Sequence, residues 1–420
     1  MTALTADSLI DTPQIRRKDW QIIALIGAAH ACSHFFQLVF PTLFIALNSE
    51  FGFNYSQLGL LVAIFFIVSG VGQACSGFLV DRMGPTPILL FGLTSFVVAG
   101  VLIGLANGYV VLMLAAIIGG LGNSIFHPVD YSILNHQVSP RRLGHAFSTH
   151  GFTGNLGWAL TPVFMSTLIY LANWRVAAVG AGLLVAVVLV LVWFGRSLLA
   201  GVSVAAGARV DNAPEALASK TIGQTLNYLA RQPALWGAFG FFVLTSVALS
   251  VVQTYSIPML GDVYGIDPVL AGTALSAYML ASALGMILGG FLVGQNLRTE
   301  LTIAASLILA GLLLLLLASG WVTPVLAMAA VALGGFCSGV STPSRDMLIR
   351  RITPKGATGT VYGLVYSGMD VGASLAPVGF GIMLDAGLVR GPWVGGAVAF
   401  WAAALAALLI GRSVAARSPR

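Results

Sequence analysis

The chain has 420 residues, 58% hydrophobic and 8% charged, against about 25% charged in a typical soluble globular domain, and this excludes a water-soluble fold. Twenty Lys and Arg against fourteen Asp and Glu give a formal charge of +6, too dilute for a nucleic-acid surface, which needs clustered cations to meet phosphates. Cys32, Cys75 and Cys337 lie inside apolar stretches; they are read as small buried hydrophobes, not as a disulfide framework or a metal site.

The first nineteen residues carry Asp7, Asp11, Arg16, Arg17, Lys18 and Asp19, with no small-residue cleavage site behind a short apolar core, so no removable signal peptide is expected. Apolar runs long enough to cross a bilayer as helices, about 20 residues each, fall near 20–47, 55–80, 86–107, 109–137, 143–171, 174–199, 233–261, 268–293, 299–319, 322–350, 357–386 and 390–412. Their length excludes barrel strands, which need only ~10 alternating residues. The expected fold class is therefore all-α integral membrane, with twelve transmembrane helices in contact with the lipid bilayer. Between the sixth and seventh spans, residues 200–220 are polar and small, and 221–232 suits a short helix lying on the membrane surface.

With the N-terminus inside, seventeen of the twenty Lys and Arg fall on the cytoplasmic side, Arg175 and Arg390 fall outside, and Arg345 lies within a span. This bias sets orientation; both termini are expected to be cytoplasmic.

The two halves repeat. Gly77-Phe78-Leu79-Val80 recurs as Gly290-Phe291-Leu292-Val293, Gly119-Gly120 as Gly334-Gly335, Pro128 as Pro343, Gly157 as Gly372, Pro162 as Pro377 and Gly195-Arg196-Ser197 as Gly411-Arg412-Ser413. Six spans followed by six in the same order imply two parallel halves related by an axis along the membrane normal. The expected organisation is a six-helix half at 1–199, a cytoplasmic linker at 200–232 and a second six-helix half at 233–420.

The second and third spans are joined by G-F-L-V-D-R-M-G, Gly77 to Gly84, in which glycines permit a tight turn and Asp81 and Arg82 offer a charge pair. Through this loop signature, together with span count, linker and repeat, the chain resembles the major facilitator superfamily of secondary transporters. The resemblance implies the major facilitator fold and a gating role for Gly77, Asp81, Arg82 and Gly84. The second-half copy has Gly294 and Gln295 in place of the charges, so any latch is one-sided. The segments FHPVDYSIL (Phe126–Leu134) and GNLGWALTP (Gly154–Pro162) are similar to those of the fosmidomycin-resistance type of transporter, which implies export of small anionic or drug-like compounds by proton antiport. Two positions depart from the superfamily: Ala115-Ala116-Ile117-Ile118 stand where a proton-linked arginine is expected, and Thr161 precedes Pro162 where glycine is usual.

An ionisable side chain at the bilayer centre costs ~2.5–3.5 kcal/mol even on insertion scales, so each marks a partner, a cavity or a function. The first span carries His30, Ser33, His34 and Gln37 on one helical face. This stripe suits a water-filled path and either proton relay or substrate contact; interhelical hydrogen bonds by the histidines are the plainer alternative. A metal site built on His30 and His34 lacks a third ligand at a defined spacing, and neither a metal nor a cofactor is expected. In the fourth span Asn123, His127 and Asp130 share a face, and Asp130 corresponds to Arg345 in the tenth, followed by Asp346. Asp130 and Arg345 are expected either to pair across the path or, for Arg345, to be neutralised by Asp346; Arg345 is the candidate for a carboxylate or phosphonate, which its planar fork binds bidentately. Asn155 of the fifth span corresponds to Asp370 of the eleventh. Asp130 and Asp370 are the candidates for proton coupling, with helix-locking hydrogen bonds as the alternative for each. In the seventh span, Gln253 and Tyr255 stand out above hydroxyls that their own helix can satisfy. The expected substrate contacts are thus His30, His34, Gln37, Asn123, His127, Gln253, Tyr255 and Arg345. Pro41, Pro128, Pro162, Pro258, Pro343 and Pro377 imply kinks, and Gly151, Gly154 and Gly157 give the fifth span a smooth side.

The function expected is that of a secondary active transporter of a small organic solute, coupled to protons and working as a monomer by alternating access in the inner membrane. A membrane-embedded metal enzyme is the competing class, because all six histidines lie in the first half, yet no H-E-x-x-H occurs. The absence of a G-x-x-x-x-G-K-[ST] motif argues against ATP-driven transport, and the repeat with its kinked helices argues against a static channel.

Overall fold

The computed structural model describes residues 11–199, 232–294, 298–353 and 358–417, and among them it contains helices and no strands. In chain order these are α1 (Pro13–Gln37), α2 (Val39–Phe51), α3 (Tyr55–Met83), α4 (Pro85–Gly104), α5 (Tyr109–Asn123), α6 (Phe126–Gln137), α7 (Leu143–Leu171) and α8 (Trp174–Leu199). They continue with α9 (Pro233–Ser250), a π-helical turn (Val251–Tyr255), α10 (Ser256–Tyr264), α11 (Pro268–Gly294), α12 (Thr299–Ser319), α13 (Pro324–Ile352), α14 (Thr358–Asp385) and α15 (Gly391–Arg417). All twelve predicted spans have a helical counterpart, and eleven helical stretches among the described residues, counting α1–α2, α5–α6 and α9–α10 as one each, are long and apolar enough to cross a membrane. The twelfth counterpart, α7, falls short because it carries His145, His150 and Asn155 among small residues. The stretch 200–231, with nearly all of the linker and its surface helix, lies outside the described residues, as does Lys355.

Three predicted spans are broken where proline requires it. Proline lacks an N–H and crowds the carbonyl four residues back. For Pro41 that carbonyl belongs to Gln37, where α1 ends; for Pro128 it belongs to Ser124, between α5 and α6; for Pro258 it belongs to Thr254, inside the π-helical turn. Pro162, Pro343 and Pro377 instead sit inside unbroken helices.

By packing, the described residues form two units: one comprises residues up to Val39 and from Val68 to the end of α8, the other Phe40–Ile67 with everything from 232 onward. In the first unit α1 packs on α7 and α8, and α4 on α5 and α8. In the second, α9 packs on α14 and α15, and α12 on α13 and α15, which are the same four pairings one repeat later. Small residues set the distances. A Cβ on Gly157 would lie 2.2 Å from the Ala31 carbonyl oxygen, and one on its counterpart Gly372 2.5 Å from the Val243 carbonyl oxygen. Arg175 Nη1 donates to Ala106 O just past the end of α4 (3.2 Å), and Arg390 Nη1 donates to Ser319 O at the end of α12 (3.1 Å). Each arginine thus satisfies a terminal carbonyl and opposes the negative end of a helix dipole.

In the second unit Asp385 accepts from the backbone N–H groups of Tyr55 (2.7 Å) and Ser56 (2.9 Å), capping the N-terminus of α3. Large apolar side chains such as Leu171, Phe194, Phe291 and Leu375 are exposed while Ser33, Asn123, Asp130 and His150 are buried. That inversion of the soluble pattern fits lipid as the outer solvent.

Candidate functional site

The breaks position the polar side chains. In the first unit α1 supplies His30 and His34, α6 supplies His127 and Asp130, and α7 supplies His150. Asp130 is fully buried. His150 Nε2 lies 3.1 Å from its Oδ2 in a hydrogen bond, and His30 Nδ1 lies 3.0 Å from the same oxygen without forming one. The His30 and His150 rings stack with centroids 3.5 Å apart, and His127 stands edge-on to His30 at 5.4 Å. His30 and His150 are buried, whereas His127 is exposed. His34 packs on Trp158 at 4.1 Å and on His30 at 4.6 Å. Gly154 makes the room: a Cβ there would stand 3.1 Å from both His30 Nε2 and His34 Nδ1.

One turn along α1 the polar stripe changes character. Asn123, the last residue of α5, accepts at Oδ1 from Ser33 Oγ (2.8 Å) and Gln37 Nε2 (3.2 Å), and its Nδ2 donates to Ser69 Oγ (2.8 Å). Trp158 Nε1 donates to Gln37 Oε1 (2.9 Å). Gln37 and Asn123, expected to touch substrate, are held in a network that joins α1, α3, α5 and α7. Thr161 contributes too: its hydroxyl is within 2.9 Å of both Phe35 O and Gly157 O, so the residue that departs from the superfamily pattern braces α7 against α1.

The second unit is built differently. Arg345 Nε donates to Asp346 Oδ1 (2.9 Å), which also accepts from Tyr366 OH (3.0 Å), and the guanidinium carbon lies 4.9 Å above the Phe242 ring. Of the two arrangements expected for Arg345, the one with Asp346 is formed within this unit. Asp346 is half-exposed. Asp370 is partly buried in α14, and its carboxylate has no hydrogen-bond or ion-pair partner among the described residues; Asn155, its counterpart, donates from Nδ2 to Gly151 O (3.0 Å). Gln253 has a buried Nε2 without a partner in the π-helical turn, a feature often found at functional sites. Tyr255 is not brought to this group. It is fully buried, and its hydroxyl is taken up by the carbonyls of Pro377 and Tyr55.

Of the gating residues, Gly84 adopts φ +78° between α3 and α4, the left-handed conformation a glycine tolerates, and Arg82 is exposed. The Asp81 side chain lies outside what the structure describes. A cluster that sequence reasoning missed sits at the start of α1. Arg142 Nε donates to Asp19 Oδ2 (2.8 Å), Arg142 Nη2 donates to Asp11, and Ser139 Oγ donates to Asp19 Oδ2 (2.5 Å). The hydrogen bond from Arg142, helped by Arg16, holds the Asp11 carboxyl down at about 2. All three contacts join residues 120 or more positions apart, and nothing local in the sequence pairs them.

Two units of repeated helix pairings around buried polar residues define a multi-pass helical membrane protein of the transporter type. The sequence model of the Major Facilitator Superfamily matches residues 25–377 and 250–420. The chain belongs to that superfamily and is a secondary transporter of small solutes, not an enzyme. It is 27% identical over 378 residues to the membrane sensor protein UhpC of Salmonella typhimurium, covering 87% of this chain and 84% of that protein. It is 30% identical over 154 residues to the fosmidomycin resistance protein of Escherichia coli, covering 36% and 37%. Its fold matches the crystal structure of a bacterial homologue of the human lysosomal transporter Spinster with a TM-score of 0.75 at 15% identity, over 98% of this chain and all of that one.

Proposed function

We propose that the protein exports a small organic anion or drug-like solute in exchange for protons, by alternating access, from an inner membrane in which both termini face the cytoplasm. The observation that carries this reading is the pair of carboxylates placed in helical spans without lysine or arginine partners among the described residues: Asp130, buried against His30 and His150, and Asp370. A carboxyl group inside a helical span is expensive to keep there without a function, and carrying a proton is the function these two suit. Arg345, engaged at Nε by Asp346, supports the anionic solute, since a planar guanidinium is the cation suited to bidentate binding of a carboxylate or phosphonate. The likeness of about a third of the chain to a fosmidomycin resistance protein supports a drug-like solute.

Reconstitution into proteoliposomes with an internal pH dye tests this. Under an imposed pH gradient, a panel of organic anions and drugs should include compounds that drive saturable proton movement, abolished in Asp130→Asn and Asp370→Asn. Solute flux in the wild-type protein that ignores the gradient in either direction would overturn the coupling.

A further inference from the structure

The proposed transport cycle uses Asp130 and leaves the assembly around it unexplained. Three imidazoles from three helices, His30 on α1, His127 on α6 and His150 on α7, present ligand atoms within 4.8 Å of one another, and the Asp130 carboxylate stands beside two of them. Two features show that hydrogen bonds do not exhaust this group. Among the described residues Asp130 Oδ1 is buried with no hydrogen-bond partner, and neither His34 Nδ1 nor His30 Nδ1, which lies 3.0 Å from Asp130 Oδ2, makes a hydrogen bond. An unsatisfied oxygen on a buried carboxylate is costly, and three buried polar atoms without a hydrogen bond in one cluster suit the binding of a cation.

We propose that His30, His127 and His150, with Asp130, form a binding site for one divalent transition-metal ion of the zinc and cobalt class. Imidazole nitrogen with one carboxylate is a donor set that suits zinc and its neighbours and suits neither calcium nor magnesium, which prefer all-oxygen shells. A tetrahedral ion with nitrogen ligands at about 2.0–2.1 Å sets its ligand atoms roughly 3.4 Å apart; the observed spread closes to that by small side-chain rotations. The carboxylate supplies negative charge to an ion of charge +2, and the exposed His127 gives it a way in. His34, stacked on Trp158 and His30, buttresses the first ligand as outer residues do in metal sites. The sequence could not show this, since two of the three imidazoles come from other helices and not from a spacing along α1.

The test uses untagged full-length protein in detergent, stripped with a chelator and titrated with Co²⁺, whose visible absorption reports coordination geometry. The expected result is one Co²⁺ per chain with an intense tetrahedral band, displaced by Zn²⁺. His127→Gln and His150→Gln should weaken binding at least about 10-fold, while His136→Gln, an exposed histidine bonded to Ser132 O, should leave it unchanged. X-ray absorption on the Co²⁺-loaded wild type counts imidazole ligands without any variant, so a misfolded mutant does not stall the test. Sub-stoichiometric Co²⁺, a weak octahedral spectrum, or fewer than two imidazoles on the ion would overturn the proposal. No solute or gradient enters these measurements, so they stand or fall apart from the transport reading.

Discussion

The polar centres of the two units occupy corresponding spans and yet share almost no chemistry. In the first, four histidines and Asp130 crowd together beside the saturated Asn123 network, and nearly every group is braced by another helix. In the second, Arg345, Asp346 and Tyr366 form a compact triad, while Asp370 and Gln253 stand without side-chain partners among the described residues. What the units do share is backbone proximity: Gly157 on Ala31 and Gly372 on Val243, and Arg175 and Arg390 on helix-terminal carbonyls. Duplication preserved the scaffold, because close helix packing tolerates few alternatives, and left the side chains within it free to diverge.

That contrast breaks most directly at Asp370. Asp370→Asn should abolish pH-driven transport with normal protein levels, because nothing in the packing depends on its carboxylate; intact gradient-driven flux would remove it from the coupling. Arg345→Ala should weaken binding of organic anions at least about 10-fold, the scale of a lost charge-assisted contact, with Arg345→Lys recovering only part because an ammonium lacks the planar fork. Calorimetric affinities unchanged in both variants would reduce Arg345 to a helix lock with Asp346. The shared scaffold is probed by Gly157→Ala and Gly372→Ala, each expected to cost about 1–3 kcal/mol by overpacking against a backbone carbonyl; thermal unfolding in detergent that spares one of the two would end the claim of equivalence.

The smallest effect is expected at the entry of α1. Asp11 has its carboxyl lowered from 3.8 to about 2 by Arg142, so the clasp contributes its stability above about pH 4 and loses it as pH falls toward 2. Acid-unfolding curves of Asp11→Asn should therefore converge on wild type near pH 2 and fall below it at neutral pH. Curves separated equally at both ends would show that the charge pair is not what the mutation removes.

Much of the site was legible, though in pieces. His30, His34, His127, Asp130 and Arg345 could be singled out because charge inside an apolar run has few innocent explanations. Their partners could not. Asp346 stood beside Arg345 as one of two alternatives, whereas the choice of Asn123 as a hub for Ser33, Gln37 and Ser69 follows from how helices rotate and approach. Tyr255 illustrates the reverse error, since a tyrosine beside a proline break resembles a ligand contact until its hydroxyl is seen spent on two backbone carbonyls.

The sequence by itself determined the helical spans and where they break, because a bilayer leaves the backbone no partner but its own helix and proline removes one bond at a fixed offset. It also determined the repeat, since glycines at close contacts persist in register. Only the tertiary structure decided which polar groups meet. Three imidazoles from α1, α6 and α7 and one aspartate converge over 120 residues of chain, and no periodicity within a single helix encodes a distance between helices.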